Sequence, residues 1–130
     1  MTSPTLPGMK RTLALGYDEA LVAVVAALKT EGFGVLTEID IRDTLQKKLG
    51  VEFRRYKILG ACNPPLAHRA LQTELEIGLM LPCNIVVYEE DGHAVVVAVD
   101  PMQTIAASHP GLQPIAEEVR GKLARVLESL

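Results

Sequence analysis

The sequence has little of what nucleic-acid binding requires. It contains no tryptophan, aromatic residues make up only 4% of the chain, and the formal net charge is −3 at pH 7. Proteins that bind nucleic acids stack bases on aromatic side chains and hold phosphates with clustered Lys and Arg. We therefore expect no nucleic-acid partner. The hydrophobic 48% of the chain must form a core of mainly aliphatic side chains.

Targeting segments and familiar catalytic motifs are also missing. The first eight residues contain no apolar signal-peptide core, and the richest apolar run, residues 20–28, is too short to span a bilayer. The expectation is a cytoplasmic protein that does not contact a membrane. No phosphate-binding loop, nucleophile elbow or zinc-protease motif occurs. The sequence thus identifies no cofactor and leaves open whether the protein is an enzyme.

The hydrophobic pattern predicts one α+β domain. Residues 1–8 are predicted to be a flexible N-terminal tail, and residues 9–130 a single domain. Strands are predicted at 9–15, 33–41, 51–61, 83–89 and 93–99; helices are predicted from about 18 to 31, from about 63 to 74 and from 113 onward, with a helical turn or two at 42–50. The predicted architecture is β-α-β4-α, an antiparallel sheet with its helices packed on one face.

The fifth predicted strand, residues 93–99, is apolar on both faces. It follows Asp91-Gly92, a dipeptide typical of a tight hairpin in which both turn residues need positive φ. A strand that is apolar on both faces must be covered on both. We expect helices on one side and a second copy of the chain on the other, and hence a homodimer.

The two cysteines, each followed by asparagine, are the main candidate site. Cys62-Asn63 closes the third predicted strand, and Cys83-Asn84 opens the fourth. If these strands are neighbours, both pairs lie at the same end of the sheet. Asn63 is a favoured helix N-cap, and the positive end of a helix dipole stabilises a thiolate. The alternative remains open, because free cysteine is also a common buried apolar residue.

Three further residues are weaker candidates. His68, one turn into the predicted helix, would be a third ligand beside the cysteines, but two Cys and one His are too few to predict a metal site. Glu38 and Asp40 share one strand face, and paired carboxylates can divide acid and base roles. Arg55 and Lys57 have the same spacing on the next strand, so cross-strand ion pairs explain those carboxylates equally well.

From residue 57 to 101 the sequence resembles the domain-of-unknown-function 302 family. The features that carry the resemblance are the segment KILGACNP, the segment IGLMLPCNIVVY, and the later Asp-Gly and Asp-Pro pairs. Residues 32–40 are similar to that family's second strand, and Met80 departs mildly from the Leu common at its position. The resemblance implies a β-α-β4-α arrangement grouped with TATA-binding-protein-like folds. It implies no particular activity, since fold does not determine function.

Three hypotheses about function remain. The first is a dimeric small-ligand-binding or sensor-like module whose site is framed by Cys62, Asn63, Cys83 and Asn84. The second is a thiol-dependent enzyme, or a sulfur or redox carrier, that uses Cys62 and Cys83. The third is a purely structural dimer whose open sheet face is the interface.

Overall fold

A computed structural model describes residues 8–130, so residues 1–7 of the predicted tail lie outside the described residues. Gly8, assigned to that tail, is instead the first residue of a strand, because it pairs with Val99. The chain forms one five-stranded antiparallel sheet in the order β1-β5-β4-β3-β2. Its strands are β1 Gly8–Thr12, β2 Gly34–Asp40, β3 Tyr56–Cys62, β4 Cys83–Glu90 and β5 His93–Val99. The prediction of an α+β fold with an antiparallel sheet is confirmed.

Five α-helices connect and cover these strands. They are α1 Tyr17–Thr30, α2 Ile41–Leu49, α3 Pro64–Thr73, α4 Ile105–Ser108 and α5 Gln113–Glu128; 3-10 turns cover Leu75–Met80 and Pro110–Leu112. The first residue of α5 and both ends of β5 lie where the sequence predicts them. The sequence predicts no element between β5 and α5, whereas the structure has the short helix α4 there.

Local chemistry accounts for the ends of several elements. Asn63 caps α3 by accepting a hydrogen bond from the Leu66 N–H, and Pro64 follows as the first helical residue. Asp40 caps α2 in the same way by accepting from the Asp43 N–H. At the β4–β5 turn, Asp91 and Gly92 have φ values of 51° and 78°, which confirms the predicted hairpin.

The two faces of the sheet have different surroundings. On the helix face, alternate residues of β3, β4 and β5 pack with α1 and α5 into one core; examples are Leu59, Ile85 and Val96. We call the other side the open face. Its side chains come from the intervening positions, such as Ile58, Val86 and Val97.

The regular alternation in the sequence of β2 does not extend through the whole strand. The sequence alternates as though Val35, Thr37 and Ile39 shared one face, but the strand has a bulge between Val35 and Thr37. Val35 pairs with Ala61 of the helix face, whereas Thr37 pairs with Gly60 of the open face. A bulge adds one residue to a strand and so reverses the alternation beyond it.

Within residues 8–130, no helix combines the length and apolarity that crossing a bilayer demands. The assignment to TATA-binding-protein-like folds stays a prediction.

Candidate functional site

The register of β3 and β4 brings the two cysteines to one end of the sheet. Ala61 lies directly opposite Cys83, and Cys62 is the next residue along β3. Both cysteines are free thiols. β3 and β4 are neighbours in the sheet. Since they are antiparallel, the end of β3 and the start of β4 lie at the same end of the sheet, and α3 connects them there.

An apolar cavity of about 340 Å³ opens beside the cysteines. It lies where the ends of β3 and β4 meet α3, the Leu75–Met80 turn and α5. Its lining residues are Phe33, Leu36, Ala61, Cys62, Asn63, Leu66, Ala67, Ala70, Leu71, Gly78, Leu81, Pro82, Cys83, Ile105, Ile115 and Val119. No side chain in this lining carries a formal charge at neutral pH, so the cavity suits an uncharged, largely carbon ligand.

Asn63 forms part of the wall, but its amide is held by the fold. Its Nδ2 donates to the Glu31 carbonyl at 3.2 Å, and its Oδ1 accepts from the Leu66 N–H at 3.4 Å. These two bonds tie the end of α1 to the start of α3. The side chain is 9% exposed, so it positions the wall and offers few free polar atoms to a ligand.

Cys83 is a buried thiol, 4% exposed. Burial and, to a smaller extent, repulsion from the nearby Cys62 thiolate together raise its pKa to about 11. At neutral pH Cys83 is consequently protonated. A protonated thiol is a weak hydrogen-bond donor and a small polarisable contact, which suits the wall of an apolar cavity.

Asn84 does not join the other three candidates. It is exposed, and it pairs with Gly60 on the open face, whereas Cys83 points to the helix face. Successive strand residues point to opposite sides, so a Cys-Asn pair inside a strand separates its two members. The structure thus brings Cys62, Asn63 and Cys83 together at the cavity and places Asn84 elsewhere.

The weaker candidates also lie away from the cavity. His68 is exposed on α3 and is not part of the cavity wall. Glu38 is exposed on β2, and Asp40 is occupied in capping α2. Arg55, considered as a cross-strand partner for these carboxylates, instead pairs with Asp18 of α1 at 3.0 Å.

Sequence reasoning did not identify most of the cavity wall. Ile115 and Val119 of α5 and Ile105 of α4 close the cavity from a part of the chain distant in sequence. Within residues 8–130 no group of three or more His, Cys, Asp or Glu side chains could hold a metal ion. The one available signal was the concentration of small residues near the cysteines, Ala61, Ala67, Ala70 and Gly78, which leave space where larger side chains would fill it.

The fold and the cavity define a small α+β domain with one antiparallel sheet and an apolar cavity at the end of its β3–β4 pair. The chain belongs to the family described as Domain of unknown function DUF302, whose model matches residues 9–130. It is similar to the crystal structure of an uncharacterized conserved DUF302 protein from Bacillus stearothermophilus. The two are 33% identical with a TM-score of 0.87, and the match covers 96% of this chain and 98% of the other. No functionally curated protein matches the chain.

Proposed function

We propose that this domain is a small-ligand-binding or sensor-like module that takes an uncharged apolar molecule into the cavity beside Cys62, Asn63 and Cys83. The observation that carries the proposal is the cavity itself, about 340 Å³ with an almost wholly carbon lining. Well-packed cores contain few voids larger than a water molecule. An open, carbon-lined hollow of this size is instead the usual form of a small-ligand site.

The size of the cavity indicates the size of the ligand. An apolar cavity of about 150 Å³ accepts benzene, and this one is roughly twice as large. A bicyclic aromatic, or an alkyl chain of about eight to ten carbons, is the corresponding class. Each buried methylene contributes about 0.8 kcal/mol, so each added carbon should lower Kd about fourfold until the cavity is full.

The cavity wall has no charged side chain that could bind an ionised ligand. None of the lining side chains is Asp, Glu, Lys or Arg, so a carboxylate or ammonium group inside the cavity would lose its hydration without gaining a partner. The polar end of a ligand must therefore remain at the mouth. Leu36 lines the cavity and is 67% exposed, which supports an opening to solvent on that side.

The thiol hypothesis has less support. The thiolate is the reactive form of cysteine, and burial, followed by the charge of Cys62, raises the pKa of Cys83 to about 11. Cys83 therefore suits a wall position better than a role as nucleophile or resolving thiol. We further propose a cytoplasmic location, since both cysteines are free and reducing compartments keep thiols in that state.

Thermal unfolding in the presence of primary alcohols, from butanol to tetradecanol, tests the binding proposal. We expect Tm to rise with each carbon up to about decanol and then to rise no further. Ala70→Phe places a ring in the cavity from a buried position on α3 and should abolish the rise. Ala26→Phe, at an exposed position on α1, is the matched control and should preserve it.

Two results would refute the proposal. One is an increase in Tm that continues with each carbon from decanol to tetradecanol, which would indicate non-specific partition. The other is an equal response from the Ala70→Phe and Ala26→Phe variants, which would place the binding site elsewhere.

A further inference from the structure

The open face of the sheet is apolar through its centre. Val95, at the middle of β5, is 0% exposed even though it points away from the helix-side core. The other apolar side chains of this face are half-buried or exposed, and they are Ile39, Tyr56, Ile58, Val86, Tyr88, Val97 and Val99. An antiparallel sheet with one solvated face normally carries polar residues on that face. At the centre of this sheet, both faces carry apolar side chains instead.

Polar side chains of the open face lie at its margins. Lys10 lies on the edge strand β1, opposite Val97. Glu90 and His93 form the last pair of the β4–β5 hairpin, at one end of the sheet. An apolar centre inside a charged rim is the composition of a protein–protein interface.

Aromatic residues are concentrated at one end of the same face. The rings of Tyr56 and Tyr88 stack with centroids 5.6 Å apart, and Phe53 lies 6.2 Å from Tyr56. These are three of the five aromatic residues in the chain. Phe53 is 43% exposed. Tyr and Phe are enriched at interfaces and depleted on free surfaces, so their grouping here indicates a surface that another molecule covers.

We infer that the open face is covered by the open face of a second copy of this chain. A two-fold dimer brings the same patch of both copies together, so the patch must be complementary to itself. A centre of aliphatic side chains meets this condition, whereas a face with charge of one sign at its centre would repel its own copy. The inference does not depend on the cavity, which opens on the helix face.

The area of the face is sufficient for a stable pair. Five strands about 4.8 Å apart, with about seven residues each at about 3.3 Å, give a face of about 550 Å². Two such faces bury about 1,100 Å² together, just above the roughly 1,000 Å² expected of a specific interface. The packing would be that of a β-sandwich, with the two sheets about 10 Å apart.

Sedimentation equilibrium between 1 and 100 µM tests the inference. The wild-type chain should sediment at twice its 14.1 kDa mass. Val86→Glu places a carboxylate on the central strand β4 between Ile58 and Val97, where an unpaired buried charge should raise the dimer dissociation constant roughly 100-fold or more. Val22→Glu makes the same change at a helix position that is 73% exposed and should leave the dimer intact.

A second variant guards against loss of folding. Ile39→Glu changes an open-face residue that is 47% exposed in the single chain, so it should disrupt the dimer while the far-UV circular dichroism spectrum stays native. A monomeric wild-type chain at 100 µM would overturn the inference. So would a dimer that survives Ile39→Glu, since the contact would then lie elsewhere. If Val86→Glu does not fold, the Ile39→Glu result decides.

Discussion

Replacing Asp100 with asparagine should destabilise the fold at neutral pH and matter much less in acid. Asp100 follows the last residue of β5 and is 5% exposed. Its carboxylate accepts hydrogen bonds from the Met102 N–H at 3.0 Å, the Gln103 side chain at 3.1 Å and the Arg120 guanidinium at 3.2 Å. The side chain thus joins the end of the sheet to α5. Asparagine keeps an acceptor for Met102 but removes the charge that faces Arg120.

The size of the effect comes from these contacts. Removing a hydrogen bond to a charged group costs about 1.5–3 kcal/mol. The Arg120 side chain is 49% exposed, so water screens part of this pair and we expect a value near the lower end, about 2 kcal/mol. For a domain of this size that loss corresponds to a fall in Tm of roughly 6–10 °C.

The pH dependence follows from the pKa of Asp100. Burial alone would raise it, but the hydrogen bonds from Met102, Gln103 and Arg120 outweigh burial and lower the pKa below its ordinary value of 3.8. A carboxyl with a lowered folded-state pKa stabilises the fold above its unfolded-state pKa. That stability is lost as the pH falls through the folded-state pKa. The difference between wild type and Asp100→Asn should therefore be largest near pH 7 and shrink below about pH 4.

Urea unfolding at pH 7, 5, 4 and 3 measures this difference directly. Asp91→Asn is the matched control, because Asp91 is an exposed turn residue with φ 51°, a conformation that asparagine also adopts readily. The control should change stability little at any pH. A cost for Asp100→Asn that is the same at pH 7 and pH 3 would refute the electrostatic explanation.

Two more predictions concern the end of the sheet near the cavity. Gly60→Ala should cost about 1–3 kcal/mol in urea unfolding because its Cβ would overlap Thr37 Oγ1 and lie 2.7 Å from Pro82 Cγ. Gly34→Ala, with no atom within 4 Å of the added Cβ, should cost far less, and equal costs would contradict this explanation. In a Cys62→Ser background, the rate at which iodoacetamide alkylates Cys83 should still rise about tenfold per pH unit above pH 9, because burial, the larger cause of its raised pKa, remains. A plateau near pH 9, as for an exposed thiol, would show that Cys83 is not buried as described.

The elements that the sequence predicted well are those with strong local signals. Asp91-Gly92 determines the hairpin, and Asn63-Pro64 determines where α3 begins. In both cases the backbone requirement is local, so neighbouring residues are enough to recognise it. The bulge in β2 has no such signal, because Val35, Thr37 and Ile39 alternate in the sequence as if the strand were regular. Its presence depends on pairing with β3, which lies about twenty residues away.

The candidate site was predicted only in part, for a related reason. The order of strands was enough to bring Cys62 and Cys83 to the same end of the sheet. The volume beside them depends on how α5 packs, and Ile115 and Val119 lie more than thirty residues beyond Cys83. Asn84 was grouped with the cysteines although period-two alternation directs it to the opposite face. Stricter use of that alternation would have removed it from the site.

The bulge and the acidic residues of β2 have a consequence for how molecules of this protein meet in solution. β2 is an outer strand of the sheet, and an outer strand invites a strand of another molecule to extend it, which is the first step of many aggregates. Here the bulge interrupts the regular edge, and Glu38 and Asp40 add two exposed carboxylates to it. The backbone hydrogen-bonding groups of β2 are irregularly spaced at the bulge, so a strand from another molecule would pair poorly with them. It would also be placed next to two negative charges. These carboxylates, first considered for acid–base chemistry, thus protect the edge of the sheet from uncontrolled growth.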